Sequence, residues 1–126
     1  MNLLLDTHVF IWYLENDKEM RREAYELINN PNNLIFISAA TLWEISIKQS
    51  IGKLTLQKED LLKELEMNRF EAIPITPRHA ILVKDIPLLH GDPFDRILIA
   101  QAKAEQLSLV TRDPKILQYK ISAILA

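Results

Sequence analysis

Five acidic residues, Asp6, Glu44, Asp92, Asp95 and Asp113, are those through which this sequence could do chemistry. They are far apart in the chain, so that chemistry depends on whether folding collects them. Two unit charges about 4 Å apart repel by roughly 4 kcal/mol at an effective dielectric near 20. A fold that gathers three or four carboxylates must therefore neutralise them with protons, basic side chains or a metal ion. Oxygen ligands with no cysteine and no cluster of histidines beside them suit Mg2+ or Mn2+, hard ions that keep waters and bind phosphates. A pocket of that kind is suited to metal-assisted attack of water on a phosphodiester.

Each acid also has a plainer structural use. In His90-Gly91-Asp92-Pro93-Phe94-Asp95-Arg96, Asp92 suits an N-cap and Pro93 the first helical position. Asp95 falls at the third, where free N–H groups favour negative charge. Asp113 before Pro114 is a good N-cap in the same way. Glu44 stands three residues after Thr41, the spacing of a capping box. Asp6 has the weakest structural excuse, because Thr7 could cap the following helix itself. Taken singly, these residues leave cap and site open.

The chain has 126 residues, 48% of them hydrophobic and 25% charged. That is the size and composition of one globular domain, residues 1–126, with one sizeable core. A net charge of −2 carries no overall signature of a nucleic-acid binder, so bound cations would have to supply the attraction. Two glycines are too few for a P-loop or a G-x-G-x-x-G turn. The lack of cysteine excludes disulfides, thiolate zinc sites and thiol nucleophiles. No apolar run approaches membrane length, and the opening Met-Asn-Leu-Leu-Leu is too short for a signal peptide. A cytoplasmic protein with no membrane partner is the expectation.

The elements that must position the acids alternate along the chain. Residues 3–5, 34–37 and 107–110 read as short buried strands, each halted by a polar residue. Residues 71–74 and 121–125 read as weaker strands. Helices are expected from Thr7 to just before Asn16, over 18–29, and from Ala39 or Thr41 to Ile51 with Gly52 closing it. Others are expected over 58–68, from Thr76-Pro77 through Val83, from the Asp92 cap through Ala104, and briefly from Pro114. This order predicts an α/β fold, a mainly parallel sheet with helices on both faces. With right-handed crossovers, the strand-to-helix turns of such a sheet lie along one edge. Asp6 and Asp113 sit at two of these turns, and Glu44 near the start of the helix after the second strand. Asp92 and Asp95 reach that edge only if the loop before them carries them there.

Four segments draw these observations together: Leu3-Leu4-Leu5-Asp6-Thr7-His8, Ser38-Ala39-Ala40-Thr41-Leu42-Trp43-Glu44-Ile45, residues 92–102, and Leu109-Val110-Thr111-Arg112-Asp113. In order and spacing they resemble the PIN-domain nucleases, and among those the VapC-type toxins of toxin–antitoxin pairs. The family's third acid falls on Asp95, judged by the apolar and small residues that follow as far as Ala102. Asp92 resembles the additional acid of a subgroup with an Asp-Pro-Phe-Asp-Arg motif. The resemblance implies a three-layer α/β/α sandwich with Asp6, Glu44, Asp95 and Asp113 around one or two Mg2+ or Mn2+ ions. Asp92 is then either a further ligand or only a helix cap. The implied activity is endoribonuclease, hydrolysing RNA phosphodiesters under the control of a small antitoxin, with a homodimer as the assembly.

Around the acids, Thr111 and Ser38 stand at strand ends, where a hydroxyl could orient a ligand carboxylate or a water, or simply form a cap. Arg96 and Arg112 flank two of the acids, for salt bridges first and phosphate contacts second. His8 and His90 are expected on a helix surface or in a loop rather than as ligands. Trp12 and Trp43 read as core aromatics, with Trp12 alternatively lining a groove for an amphipathic partner helix. Three rival readings carry their own requirements. A haloacid-dehalogenase-type phosphatase needs a second Asp two residues after the first, where this chain has His8. A phospho-acceptor receiver domain needs an acidic pair near the first strand and a lysine after a late strand, neither of which is evident. A non-catalytic interaction module would fill the acidic pocket with a partner's arginine and bind no divalent ion.

Overall fold

The computed structural model describes residues 1–58 and 60–126. Among them, strands β1 (Asn2–Leu5), β2 (Leu34–Ser38), β3 (Glu71–Ile73), β4 (Ser108–Thr111) and β5 (Ala123–Leu125) form one sheet in the order β3-β2-β1-β4-β5. Every pairing is parallel, with Leu4 opposite Phe36 on one side and Leu109 on the other. The expected mainly parallel sheet is wholly parallel in these residues. No helix among them is long and apolar enough to cross a membrane.

Helices α1 (Thr7–Glu15), α2 (Arg22–Asn29), α3 (Ala39–Ser50), α4 (Leu61–Met67), α5 (Pro77–Leu82), α6 (Pro93–Glu105) and α7 (Pro114–Leu117) connect the strands. The strands bury both faces because their side chains alternate. Leu3, Leu5, Ile35, Ile37 and Val110 pack with Val9, Phe10 and Leu14 of α1, Ala24 and Ile28 of α2, and Leu65 of α4. Leu4, Phe36 and Leu109 pack instead with Leu98, Ile99 and Ala102 of α6 and with Ile116 of α7. The result is the expected three-layer α/β/α sandwich.

Two helices are shorter than the sequence suggests. α2 begins at Arg22 rather than near residue 18, because the Asp17 carboxylate accepts the Glu19 N–H at 2.9 Å and holds a turn there. This is a local hydrogen bond that competes with helix. α4 begins at Leu61, capped by Asp60, whose Oδ1 accepts the Lys63 N–H at 3.1 Å. Glu59, inside the expected 58–68 helix, lies outside the described residues. Gly52 does follow α3, at φ +71°, a left-handed conformation that glycine adopts without strain.

Topology fixes where a site can form. From β1 the chain steps to β2 and β3 on one side, and later returns to β4 and β5 on the other. Strand order therefore reverses at β1, and the C-terminal ends of β1 and β4 flank the crevice where such sheets bind ligands. A helix that leads into a parallel strand runs back against it. α6 accordingly starts at the edge where the strands end, which brings Asp92 and Asp95 to the crevice.

Candidate metal centre

Asp6 leaves β1 directly into the crevice. Its Oδ1 accepts the Val9 N–H at 2.8 Å, so Asp6, and not Thr7, is the N-cap of α1. The Thr7 hydroxyl instead donates to the Thr41 hydroxyl of α3 at 3.2 Å. Asp6 Oδ2 accepts the Thr111 hydroxyl at 2.5 Å. The side chain is buried, and burial raises its pKa above the ordinary carboxylate range. The Thr111 and Val9 bonds and the nearby His8 oppose that rise, whereas Asp113 adds to it.

Glu44 approaches from α3. Ser38 caps this helix, accepting the Ala40 N–H at 3.0 Å. Since α3 starts at Ala39, Glu44 lies too far along it to close a capping box with Thr41. Its Oε2 pairs with Lys48 Nζ at 2.9 Å, one turn further on. Its Oε1 is buried and has no hydrogen-bond partner among the described residues. A carboxylate oxygen out of water and without a donor is unfavourable. A bound cation would satisfy it.

Asp92 and Asp95 open α6 as their spacing suggests. Asp92 Oδ1 accepts the N–H groups of Phe94 at 2.8 Å and Asp95 at 3.1 Å. Burial raises the Asp95 pKa to about 6; Asp92, Asp6 and Glu44 push it in the same direction, and His90 opposes them. Asp6 and Glu44 stand near enough to Asp95 to act on its carboxyl, so three distant segments have converged here. Asp113 caps α7 through the Lys115 N–H at 2.9 Å, and its own N–H donates to Thr111 Oγ1 at 3.0 Å.

His90 is the residue that sequence reasoning missed. It is buried, and its Nε2 lies 2.9 Å from Oδ2 of both Asp95 and Asp113. The Asp92 N–H points at its Nδ1 at 3.2 Å. The available signal was position: a histidine two residues ahead of an Asp-Pro cap is carried to the mouth of the helix with the acids.

Other flanking residues face elsewhere. Arg96 makes no ion pair among the described residues. Nη1 donates to the carbonyls of Pro87 and His90, and Nη2 to those of Val83 and Ile86. Arg112 donates to the carbonyls of Ala126 and Glu19, and its guanidinium lies 5.0 Å above the half-buried Trp12 ring. In place of the salt bridges that the sequence suggests first for both arginines, backbone carbonyls take their N–H groups. Asp6, His8, Trp12, Arg112 and Asp113 line a hollow of about 240 Å³ beside the carboxylates. His8 is exposed there, as expected. Trp43 is not a core aromatic. It is 59% exposed, with its ring against Phe94 at 5.2 Å, because α3 turns Thr41, Glu44 and Ile45 inward. The first N–H groups of α1, α3 and α6 are taken by Asp6, Ser38 and Asp92, so these helix starts hold carboxylates and a hydroxyl.

A family model for the PIN domain matches residues 3–122. None of the curated proteins matches the sequence. Among solved structures, the fold is shared with VapBC2 from Rickettsia felis bound to a promoter DNA fragment. That match has a TM-score of 0.72 and 22% identity, over 100% of this chain and 98% of that one. It is shared also with DNA-bound VapBC from Salmonella typhimurium, at 0.66 and 19%, over 100% and 97% of the two chains. A toxin–antitoxin complex from Klebsiella pneumoniae is similar at 0.58 and 22%, over 97% and 95%.

Proposed function

The chain belongs to the PIN domain family, and on that premise we propose that it is a divalent-metal-dependent endoribonuclease, the toxin of a toxin–antitoxin pair. The observation that carries this reading is the orphaned Glu44 Oε1 at a crevice where burial, and after it Asp92, Asp6 and Glu44, push the Asp95 carboxyl up. Those residues fit a hard cation: oxygen donors, one of them buried without a partner, with Lys48 the one lysine or arginine ion-paired to them among the described residues.

Asp6, Glu44, Asp95 and Asp113 are the side chains that would hold Mg2+ or Mn2+, with Asp92 as the cap that steadies Asp95. When bound, the ion supplies a Lewis acid for the phosphoryl oxygen and an acidified water as the nucleophile. The rest falls to this chain's own side chains. Thr111 fixes Asp6 Oδ2 by its hydroxyl, and α1 fixes Oδ1 by the Val9 N–H. Lys48 holds Glu44 Oε2, which leaves Oε1 as the oxygen to offer. Ser38 serves this site as the cap that sets the start of α3, and Arg96 as the clamp of the loop before α6. With no net positive charge of its own, the protein would meet the RNA backbone through its cation.

The similar toxin–antitoxin complex supports an antitoxin as the partner; a homodimer and a cytoplasmic setting belong to the same reading. His8, exposed on α1 two residues after Asp6, gives the phosphatase alternative no second carboxylate. The test is cleavage of single-stranded RNA with Mn2+ or Mg2+, with EDTA, and with Asp6→Asn. Cleavage that needs the ion and vanishes in a folded Asp6→Asn supports the proposal. Metal-independent cleavage, full activity of Asp6→Asn, or no cleavage of any RNA contradicts it.

A further inference from the structure

His90 sits where a ligand would sit, and its surroundings say what it does there. Nε2 of His90 and one carboxylate oxygen each of Asp95 and Asp113 lie within 4.8 Å of one another. We infer that His90 is a positioning residue of the carboxylate centre and not a ligand of its cation: its Nε2–H bonds to Asp113 Oδ2, with Asp95 Oδ2 at the same 2.9 Å from the nitrogen, and so holds the two acids at a span one ion can bridge. The inference rests on the metal-site reading given above and concerns how this chain builds that site.

The argument begins with the proton. A neutral imidazole has one N–H and one bare nitrogen, and its partners decide which is which. The Asp92 N–H faces Nδ1 at 3.2 Å, so Nδ1 is the bare acceptor and Nε2 carries the hydrogen. The same follows from the other side of the ring, where Nε2 meets two carboxylate oxygens at 2.9 Å each. A lone pair aimed at Asp113 Oδ2, with Asp95 Oδ2 beside it, would be repulsive. Ligation through Nε2 would require moving the proton to Nδ1, where it would confront the Asp92 N–H. Histidines that bind metals normally donate their second nitrogen's N–H to an acceptor; here that position faces a donor.

The loop that carries His90 is anchored on both sides. The Tyr119 hydroxyl accepts the N–H groups of Leu89 at 3.1 Å and His90 at 2.9 Å, and donates to the Pro87 carbonyl at 2.7 Å. Arg96 reaches back from α6 to carbonyls along the same segment, including that of His90 at 3.3 Å. The imidazole, its backbone anchored and its ring oriented by the Asp92 N–H at Nδ1, stays between the carboxylates when they repel. It therefore fixes their separation before any cation arrives, which is the preorganisation a tight site needs.

Two measurements on the full chain test this. Calorimetric titration with Mn2+ compares the wild type with His90→Ala and His90→Gln; a glutamine side chain can present an N–H where Nε2–H was. The expected result is a loss of roughly tenfold or more in affinity for His90→Ala, with recovery in His90→Gln at an unchanged folding midpoint. Long-range proton–nitrogen NMR of the wild type reports the tautomer directly, and Nε2–H is expected both without and with saturating Mg2+. Unchanged affinity in His90→Ala, no recovery in His90→Gln, or a bare Nε2 in the Mg2+ form overturns the inference. Should His90→Ala fold poorly, the wild-type tautomer decides. A wild type that binds neither ion overturns the metal-site reading and this inference with it. A wild type that binds beside an unaffected His90→Ala overturns the inference alone.

Discussion

The Thr111 hydroxyl donates to Asp6 Oδ2 at 2.5 Å, joining the end of β4 to the end of β1 across the crevice. Thr111 Oγ1 in turn accepts the Asp113 N–H at 3.0 Å, so one hydroxyl aligns two acids from different segments. Asp6 is buried, and this bond opposes the rise in its pKa that burial causes. Thr111→Val keeps the shape and removes the bond. It should cost about 1–2 kcal/mol of stability at neutral pH, read from urea unfolding, and weaken divalent-ion binding. Thr111→Ser should restore both. Equal stability of the valine variant and wild type would contradict the role given to Thr111.

Asp95 makes stability of the metal-free protein depend on pH in a definite direction. Its pKa is about 6 in the folded chain, against roughly 3.9 for an unperturbed aspartate. Between those values the folded state holds a proton that the unfolded state has released, so stability falls as pH rises through that window. Asp6, also raised by burial, acts in the same sense. In EDTA the wild type should melt higher at pH 5 than at pH 7.5. Asp95→Asn should raise the midpoint at pH 7.5 and flatten the dependence. A wild type that gains stability from pH 5 to 7.5 would contradict the shift.

Arg96 links α6 to the loop before it through four backbone carbonyls, from Val83 to His90. Lysine has the charge but not the planar fork needed to reach several acceptors at once. Arg96→Lys should therefore destabilise by roughly 2 kcal/mol and expose residues 83–91 to limited proteolysis, with cleavage sites read by mass spectrometry. Wild-type resistance to protease in this variant would show that the clamp is redundant.

Much of this was legible in the sequence because strands and caps leave local signatures. Leu3, Leu4 and Leu5 ahead of a lone Asp6 announce a buried strand that ends in a carboxylate, and Asp92-Pro93 and Asp113-Pro114 announce helix starts. The parallel sheet then brings those starts to one edge. What stayed hidden depends on contacts between segments. Leu88 and Leu89 just before His90 are exposed, and the burial of His90 follows from Tyr119 and Arg96 gripping its loop from positions 29 and 6 residues away. Trp43 misled for the opposite reason. A tryptophan between Leu42 and Ile45 suggests core, but the start of α3 at Ala39 sets which face is inward, and Trp43 falls outside it. Arg96 and Arg112 lie beside acids in sequence, yet their donors find carbonyls first.

The most direct test of the central claim is anomalous scattering from crystals of the protein grown with Mn2+. The account predicts a peak in the crevice at about 2.1 Å from carboxylate oxygens of Asp6, Asp95 and Asp113, with Glu44 Oε1 turned to it directly or through water. It also predicts that the peak is lost in Asp6→Asn. A saturated crystal with no peak there, or with manganese only at sites remote from these four acids, would contradict it.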